Sequence, residues 1–362
     1  MTSLVIHVGP GKCGSSSIQH FFATQQQPCI QKTCYRLLDP AEILKLNRKD
    51  PPMGLLGRFR KYLADTLKDC EVMIISHEFL FQCPHAVGNI CKVVDGLFDT
   101  ITIVGYCRRQ SNFLISAYSQ WLFRAPGRIR EIDGVLAGWQ IDSALFSGLE
   151  RQLIACVADD FHSARQLSEY SILDWSAGYG NITRLIDDGR VVTKCGVLPG
   201  KDSGVSLIGD FCEKSQLDLR REAERAAFRV ENVSFNQDIV EAISNGAAFG
   251  LDVPGPHEDN EVIALLSALV DDWDRQPTEF LSCLKAYTDT FYESSNMSLC
   301  RTFGLPRAYF APEKRFEQAE IKAIIKDENL HRAANSSAVV NEYRMLSAKM
   351  IELCLKLAKN SR

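Results

Sequence analysis

The stretch LVIHVGPGKCGSSS, residues 4–17, decides the fold class of this protein. It opens with a short apolar run, residues 4–8, which predicts a β-strand. A Gly-Pro-Gly turn then leads into a serine-rich segment whose apolar residues Ile18 and Phe22 have helical spacing. The stretch therefore predicts a strand, a tight loop and the start of a helix, an arrangement in which backbone N–H groups and the positive helix end can hold a phosphate.

The alternation of strands and helices continues along the chain. Residues 72–75 and 101–104 are compact, β-branched runs that predict two further strands, and helical patterns occupy residues 55–67 and 87–94. Strands that alternate with helices predict a parallel sheet covered on both faces, so the expected fold is α/β, a P-loop-like arrangement of three layers. Ligands of such sheets bind beyond the carboxyl ends of the strands, so we expect the functional site there.

The second half of the chain has a different pattern. From about residue 141 it is mainly helical, with one brief strand-like piece at residues 190–193. Residues 313–362 are charged and amphipathic and predict a helical tail that packs on the core. We therefore divide the chain into an α/β domain, residues 1–312, and a C-terminal tail, residues 313–362. Within the domain, the sheet should lie mainly in residues 1–200 and a helical part in residues 201–312.

The bulk composition limits the class of protein. A chain of 362 residues with 46% hydrophobic content can bury a large core, which argues against disorder. The formal net charge of -4 argues against a general nucleic-acid-binding surface. The thirteen cysteines form no CxxC pair, which predicts free thiols in a reducing compartment. Because no signal-peptide pattern and no membrane-length apolar run is present, the sequence predicts a cytoplasmic protein.

The loop after the first strand differs from that of an ATP-binding P-loop. That pattern needs a glycine where Ile6 stands, and a Ser or Thr after the lysine to bind magnesium, where this chain has Cys13. A thiol is a poor ligand for magnesium, which prefers oxygen. The loop therefore favours a phosphate site without a metal, in which Lys12 supplies a positive charge.

The segment GPGKCGSSSIQ, residues 9–19, resembles the 5'-phosphosulfate loop of sulfotransferases that use 3'-phosphoadenosine-5'-phosphosulfate (PAPS), in particular the bacterial capsular and carbohydrate group. The resemblance implies that Lys12 contacts the bridging oxygen. It also implies that the 5'-phosphate is held by Gly14 and by three hydroxyl residues, Ser15, Ser16 and Ser17. Gly11 and Cys13 complete the predicted donor-binding loop, although the family often has Thr at the position of Cys13.

A second segment, residues 101–118, resembles the 3'-phosphate motif of the same family. In that motif an arginine ends a strand and a serine follows eight positions later, as Arg108 and Ser116 do here. An arginine fork pairs with a phosphate bidentately, and a serine two helical turns later can present its hydroxyl to the same ligand. Arg109 is an alternative phosphate ligand, because adjacent residues at a strand end face different ways.

A candidate base follows the second predicted strand, in the segment Ser76-His77-Glu78. Related sulfotransferases have a carboxylate or a histidine there, and the bacterial group has a Ser-Ser-Glu pattern. Glu78 is therefore the first candidate for the base, and His77 is the second. The implied reaction is an in-line displacement at sulfur, in which the acceptor attacks and 3',5'-phosphoadenosine leaves without the help of a metal.

The acceptor is expected to be a carbohydrate or glycoconjugate. Arg124, Arg128 and Arg130 form a basic cluster that Pro126 and Gly127 interrupt, which predicts a loop. Such a loop could hold an anionic acceptor, but a charged loop exposed to solvent is the commoner case. Looser similarity to the bacterial group occurs at residues 161–196, 229–235 and 294–296. The four tryptophans could stack on a sugar or on adenine, but residues of this kind more often pack in the core: Trp121, Trp139, Trp175 and Trp273.

Two other functions remain compatible with the sequence. A nucleotide-dependent kinase or NTPase would use the same loop geometry. A non-catalytic carbohydrate-binding protein on a sulfotransferase fold would explain the Cys13 and His77 substitutions and the long tail. The acceptor, the choice between oxygen and nitrogen as the sulfated atom, and the oligomeric state are not encoded in a recognisable pattern.

Overall fold

A computed structural model describes residues 2–120, 126–162, 172–186, 188–200, 203–227, 239–241 and 278–337. Five strands form one parallel sheet: β1 (Ser3–Gly9), β2 (Thr33–Leu37), β3 (Val72–Ser76), β4 (Thr100–Cys107) and β5 (Val191–Val197). Their order across the sheet is β2-β3-β1-β4-β5. β1, which contains the apolar run of residues 4–8, therefore lies at the centre of the sheet, between β3 and β4.

The helices follow in chain order as α1 (Ser15–Thr24), α2 (Pro40–Leu46), α3 (Met53–Thr66), α4 (Pro84–Val93), α5 (Gln110–Gln120), α6 (Pro126–Gly138), α7 (Gly148–Ala158), α8 (Trp175–Arg184), α9 (Leu207–Ser215), α10 (Arg221–Ala227), α11 (Glu279–Phe291), α12 (Glu293–Phe303), α13 (Arg307–Phe310) and α14 (Gln318–Ala334). None of the helices in the described ranges is both long and apolar enough to cross a membrane.

The chain divides into two compact units. The first comprises Met1–Arg109, Arg165–Asn232 and Ser294–Phe310, and it contains the whole sheet. β3 is buried at every position and β1 at all but its first residue, which explains why both read as continuous apolar runs rather than alternating ones. The predicted α/β fold with a parallel sheet flanked by helices is confirmed.

The second unit comprises Gln110–Ala164, Val233–Glu293 and Ala311–Arg362 and is helical where it is described. Ser147 and Glu150 form a capping box at the start of α7. Arg332 of α14 donates two hydrogen bonds of 2.9 Å to the Glu150 carboxylate. With Ile321 and Ile325 also buried, the predicted helical tail begins as a packed helix. The proposed boundary after residue 312 stays a prediction.

Two local expectations differ from the structure. β2 was not evident in the sequence, because an edge strand that is half-buried along most of its length has no clear apolar pattern. The loop predicted around the basic cluster is wrong for residues 126–130, because α6 begins at Pro126. Proline suits the first helical position, where its ring presets φ and its missing N–H would have no partner within the helix.

Candidate functional site

The loop after β1 is a tight turn that needs unusual backbone angles. Gly9, Lys12 and Gly14 have φ values of 84°, 63° and 89°. The value at Lys12 is the notable one, because a residue with a Cβ is disfavoured in this region by about 1–2 kcal/mol. Such strain persists where the surrounding structure enforces it, and it is typical of ligand-binding loops.

Gly14 sets the start of α1. A Cβ at this position would overlap Cδ2 of Leu207 and lie 3.0 Å from Cδ1 of Leu198, so no larger residue fits without movement. As the N-cap it has no side chain with which to cap the helix. The Ser17 N–H donates to the Gly14 carbonyl oxygen at 3.1 Å, whereas the N–H groups of Ser15 and Ser16 precede the first helical acceptors, so this end of α1 can receive an anion.

Lys12 places a positive charge at the same turn. Burial lowers the pKa of Lys12 to about 8, although the Glu78 carboxylate opposes the effect. The ammonium group is therefore mostly charged at neutral pH, and it is partly desolvated. A partly desolvated cation attracts an anion more strongly than an exposed lysine does, because water screens it less.

The side chains of the other predicted loop residues have different surroundings. Ser15 is buried and its hydroxyl donates to the carbonyl oxygen of Pro10 at 2.9 Å. Cys13 is also buried, and burial raises the pKa of its thiol to about 12. These two residues can offer a ligand their backbone N–H groups, whereas Ser16 is exposed and Ser17 half-exposed.

Arg108 and Arg109 follow β4 and contact different elements. Arg108 Nη1 donates to the carbonyl oxygen of Lys12 at 3.1 Å, and Trp175 Nε1 donates to the carbonyl oxygen of Arg108 at 2.9 Å. Arg109 instead faces the carbonyl oxygen of Tyr309, at 3.4 Å from both Nε and Nη2. The first unit therefore brings the guanidinium of Arg108 to the loop and turns that of Arg109 toward α13.

The remaining residues of the predicted set lie elsewhere. Ser116 is a half-buried residue of α5 in the second unit. Arg124 lies outside the described residues, as do Trp121, Trp273 and residues 229–235. Arg128 pairs with Glu131 at 2.7 Å, and Arg130 is exposed. Trp139 contacts Lys322 through its ring face, and Trp175 is fully buried in the first unit.

Glu78 lies directly against the loop. It begins a single 3₁₀ turn, Glu78–Gln82, after the last residue of β3 and His77. A Cβ on Gly9 would come within 2.8 Å of the Glu78 Cα, which shows how closely the two backbones approach. Gln19 Nε2 donates to Glu78 Oε2 at 3.1 Å. The side chain is nevertheless 38% exposed, so a ligand can reach the carboxylate.

The electrostatic environment keeps Glu78 ionised. Burial raises the pKa of Glu78, but the hydrogen bonds from Gln19 and from a backbone N–H, together with the charge of Lys12, outweigh that effect. The net pKa lies below the usual value of a glutamate. At neutral pH the side chain is therefore a carboxylate that can accept a proton.

His77 is held in a form that does not accept a proton. The backbone N–H of Phe79 donates to His77 Nδ1 at 3.0 Å, so this nitrogen carries no proton of its own. Burial lowers the pKa of His77 despite the Glu78 carboxylate nearby, which favours the neutral ring. A neutral ring with Nδ1 as acceptor carries its proton on Nε2, so both nitrogens are occupied. The geometry therefore favours Glu78 over His77 as the base.

A pocket of about 650 Å³ opens beside β5, within the first unit. Its lining includes Leu198, Lys214, Phe303 and Tyr309. Tyr309 Oη donates to the carbonyl oxygen of Leu198 at 3.3 Å, and the Leu198 side chain lies next to Gly14. The pocket is therefore adjacent to the loop. These four residues lie in segments that no sequence motif marks.

Comparisons with known proteins add no name to this arrangement. No protein-family model matches the sequence, and no curated protein matches it.

Proposed function

We propose that this protein transfers a sulfuryl group from PAPS to a hydroxyl or amine of a carbohydrate or glycoconjugate. The observation that carries the proposal is the convergence of three groups at one turn. The carbonyl oxygen of Lys12 accepts a hydrogen bond from Arg108, and the backbone and side-chain methylene groups of Glu78 lie against the glycines of the same turn. Two cations and a base therefore meet at the carboxyl end of the central strand, which is where parallel sheets bind ligands.

The donor would be held by groups that match its charges. The first-turn N–H groups of α1 and the ammonium of Lys12 suit the 5'-phosphosulfate, which carries negative charge on both its phosphate and its sulfate. Arg108 supplies a guanidinium fork for a second phosphate, with Ser116 as its predicted companion. The pocket beside Leu198 and Tyr309 has a volume of about 650 Å³, which is ample for a nucleoside.

The proposed step is a displacement at sulfur. The acceptor oxygen or nitrogen forms a bond to sulfur while the bond from sulfur to the bridging oxygen of the donor breaks. The electron pair of that bond goes to the leaving phosphate, where Lys12 and the N–H groups of α1 stabilise the growing charge. Glu78 takes the proton of the attacking group, a contribution that is typically worth about 10²- to 10⁴-fold in rate.

Ligand binding and sulfate transfer test the proposal directly. We expect 3',5'-phosphoadenosine to raise the thermal stability of the protein, and labelled PAPS to deliver sulfate to a member of a panel of glycans, glycolipids and small phenols. Stabilisation by ATP with magnesium but not by 3',5'-phosphoadenosine would favour a kinase or NTPase instead. Nucleotide binding without transfer to any acceptor would favour a non-catalytic protein.

Two matched variants separate the candidate bases. Glu78→Gln removes the proton acceptor and should lower transfer about 10²- to 10⁴-fold, with little change in affinity for 3',5'-phosphoadenosine. His77→Asn keeps an acceptor for the Phe79 N–H and should retain most of the activity. The opposite order of effects would assign the base to His77.

The proposal includes a cytoplasmic location. The thirteen cysteines lack the pairing pattern of a secreted disulfide scaffold, and those in the described ranges are free thiols. Fractionation of the cells that make the protein, followed by immunodetection, tests this location.

A further inference from the structure

Gln19 connects the phosphate-binding helix to the candidate base. It is a half-buried residue in the second turn of α1, the helix whose first turn begins at the loop. Its Nε2 atom lies 3.1 Å from Glu78 Oε2 and 3.4 Å from Ser76 Oγ. The amide of Gln19 therefore bonds both to Ser76, the last residue of β3, and to Glu78.

The chemistry of these groups fixes the orientation of the amide. An ionised carboxylate only accepts hydrogen bonds, so Gln19 must turn its N–H groups toward Glu78 rather than its oxygen. The second N–H then meets Ser76 Oγ, which the buried His7 ring holds at 2.7 Å from its Nδ1. Because His7 and Ser76 belong to buried strands, the anchor of this bridge is rigid.

We propose that Gln19 is a positioning residue that holds the Glu78 carboxylate for proton abstraction and couples it to the anion-binding end of α1. The inference deepens the proposed sulfate transfer and rests on it for its catalytic meaning. Because an α-helix is stiff over two turns, a donor phosphate that binds the first turn of α1 also fixes the position of Gln19. Through its hydrogen bond, Gln19 then fixes the position of the Glu78 carboxylate. The bridge itself is a statement about hydrogen bonding and is testable without a substrate.

The bridge has a predictable effect on titration. Burial raises the pKa of Glu78, and the hydrogen bond from Gln19 is the strongest influence that lowers it. Among the residues that the structure describes, the other titratable groups that interact electrostatically with Glu78 are His77, Lys12, His7 and Tyr35. Since none of these is altered by a change at Gln19, loss of the amide should raise the pKa of Glu78.

The first experiment measures that titration in the folded protein. Glu78 is followed by ¹³C NMR on glutamate-labelled protein, and its signal is assigned by the Glu78→Gln variant. In Gln19→Met, which keeps the length of the side chain and removes its donors, we expect a higher pKa of Glu78 than in the wild type. Gln19→Ala removes the same donors with a strong helix former, so it gives an independent reading if methionine fits poorly. Gln26→Met, at an exposed position after α1, is the matched control and should leave the pKa unchanged.

The second experiment measures catalysis. Loss of one hydrogen bond to a charged group should lower kcat for sulfate transfer by at least about tenfold, with a smaller change in the KM for PAPS. The acid limb of the profile of kcat against pH should move to higher pH, because Glu78 must be ionised to act as the base. A merely structural role for Gln19 would lower activity at all pH values without moving this limb.

The two readouts separate the two ideas. A higher pKa of Glu78 in the Gln19 variants than in the wild type, together with no sulfate transfer by the wild type, would retain the bridge and reject the sulfotransferase function. Normal transfer with an unmoved pKa and an unmoved acid limb in both Gln19 variants would overturn the positioning role and leave the function intact.

Discussion

Replacement of Gly14 by alanine should destabilise the first unit more than replacement of a glycine whose added Cβ would contact no other atom. Gly14 has φ 89° and ψ 4° at the N-cap of α1, where a residue with a Cβ is strained. Its Cβ would also overlap the side chain of Leu207, the first residue of α9. Two separate costs therefore act at the residue that sets the start of α1.

The structure allows the two costs to be estimated. The backbone angle should cost about 1–2 kcal/mol for a residue with a Cβ. Crowding against Leu207 and Leu198 should add about 1–3 kcal/mol, the usual cost of inserting a methyl group into a packed region. We therefore expect Gly14→Ala to lower the free energy of unfolding by about 2–5 kcal/mol.

Gly96 supplies the matched control. It has φ 70°, and a Cβ there would meet no atom within 4 Å. Gly96→Ala therefore carries the backbone cost alone, about 1–2 kcal/mol. Urea unfolding of the two variants, followed by tryptophan fluorescence, gives the difference.

A double-mutant cycle identifies the source of the excess. In a Leu207→Ala background the overlap with Leu207 is gone, so Gly14→Ala should cost less than in the wild-type background and only slightly more than Gly96→Ala, because the contact with Leu198 remains. Equal destabilisation by the two glycine variants in the wild-type background would refute the packing argument, as would full additivity in the cycle. Under the proposed function, Gly14→Ala should also weaken binding of 3',5'-phosphoadenosine, because it displaces the first-turn N–H groups.

Three further predictions concern single side chains. Burial lowers the pKa of Lys12 to about 8, so the affinity for 3',5'-phosphoadenosine should fall as the pH rises through about 8 and the lysine loses its charge. Calorimetric titration should show a weaker dependence of this affinity on pH in Lys12→Met. Trp175→Phe removes the donor to the Arg108 carbonyl from a fully buried ring and should cost about 2–4 kcal/mol of stability in urea unfolding, with weaker nucleotide binding. Arg332→Met leaves the Glu150 carboxylate without two of its donors and should cost about 3 kcal/mol in the same assay, whereas an unchanged midpoint would show that α14 is not fixed by this pair.

The sequence reveals the parts of the site that depend on local pattern. The apolar run and glycines of residues 4–17 predict the central strand, the turn and α1, because β-branched content and turn chemistry act within a few residues. Arg108 and Glu78 are marked in the same way, since each follows a recognisable buried strand. β2 is not marked, because its half-exposed edge position leaves it without a pattern.

By itself, then, the sequence determines that the chain forms a parallel α/β sheet with a lysine-bearing turn and charged residues at strand ends. The tertiary structure decides which of those residues meet. Placing β1 between β3 and β4 brings Glu78 onto the glycines of the loop and Arg108 onto the Lys12 carbonyl, and it gives Gln19 and Trp175 partners far away in sequence. The physical reason is that strand order and helix packing set these contacts, and both depend on burial summed over the whole unit rather than on the local sequence of any one segment.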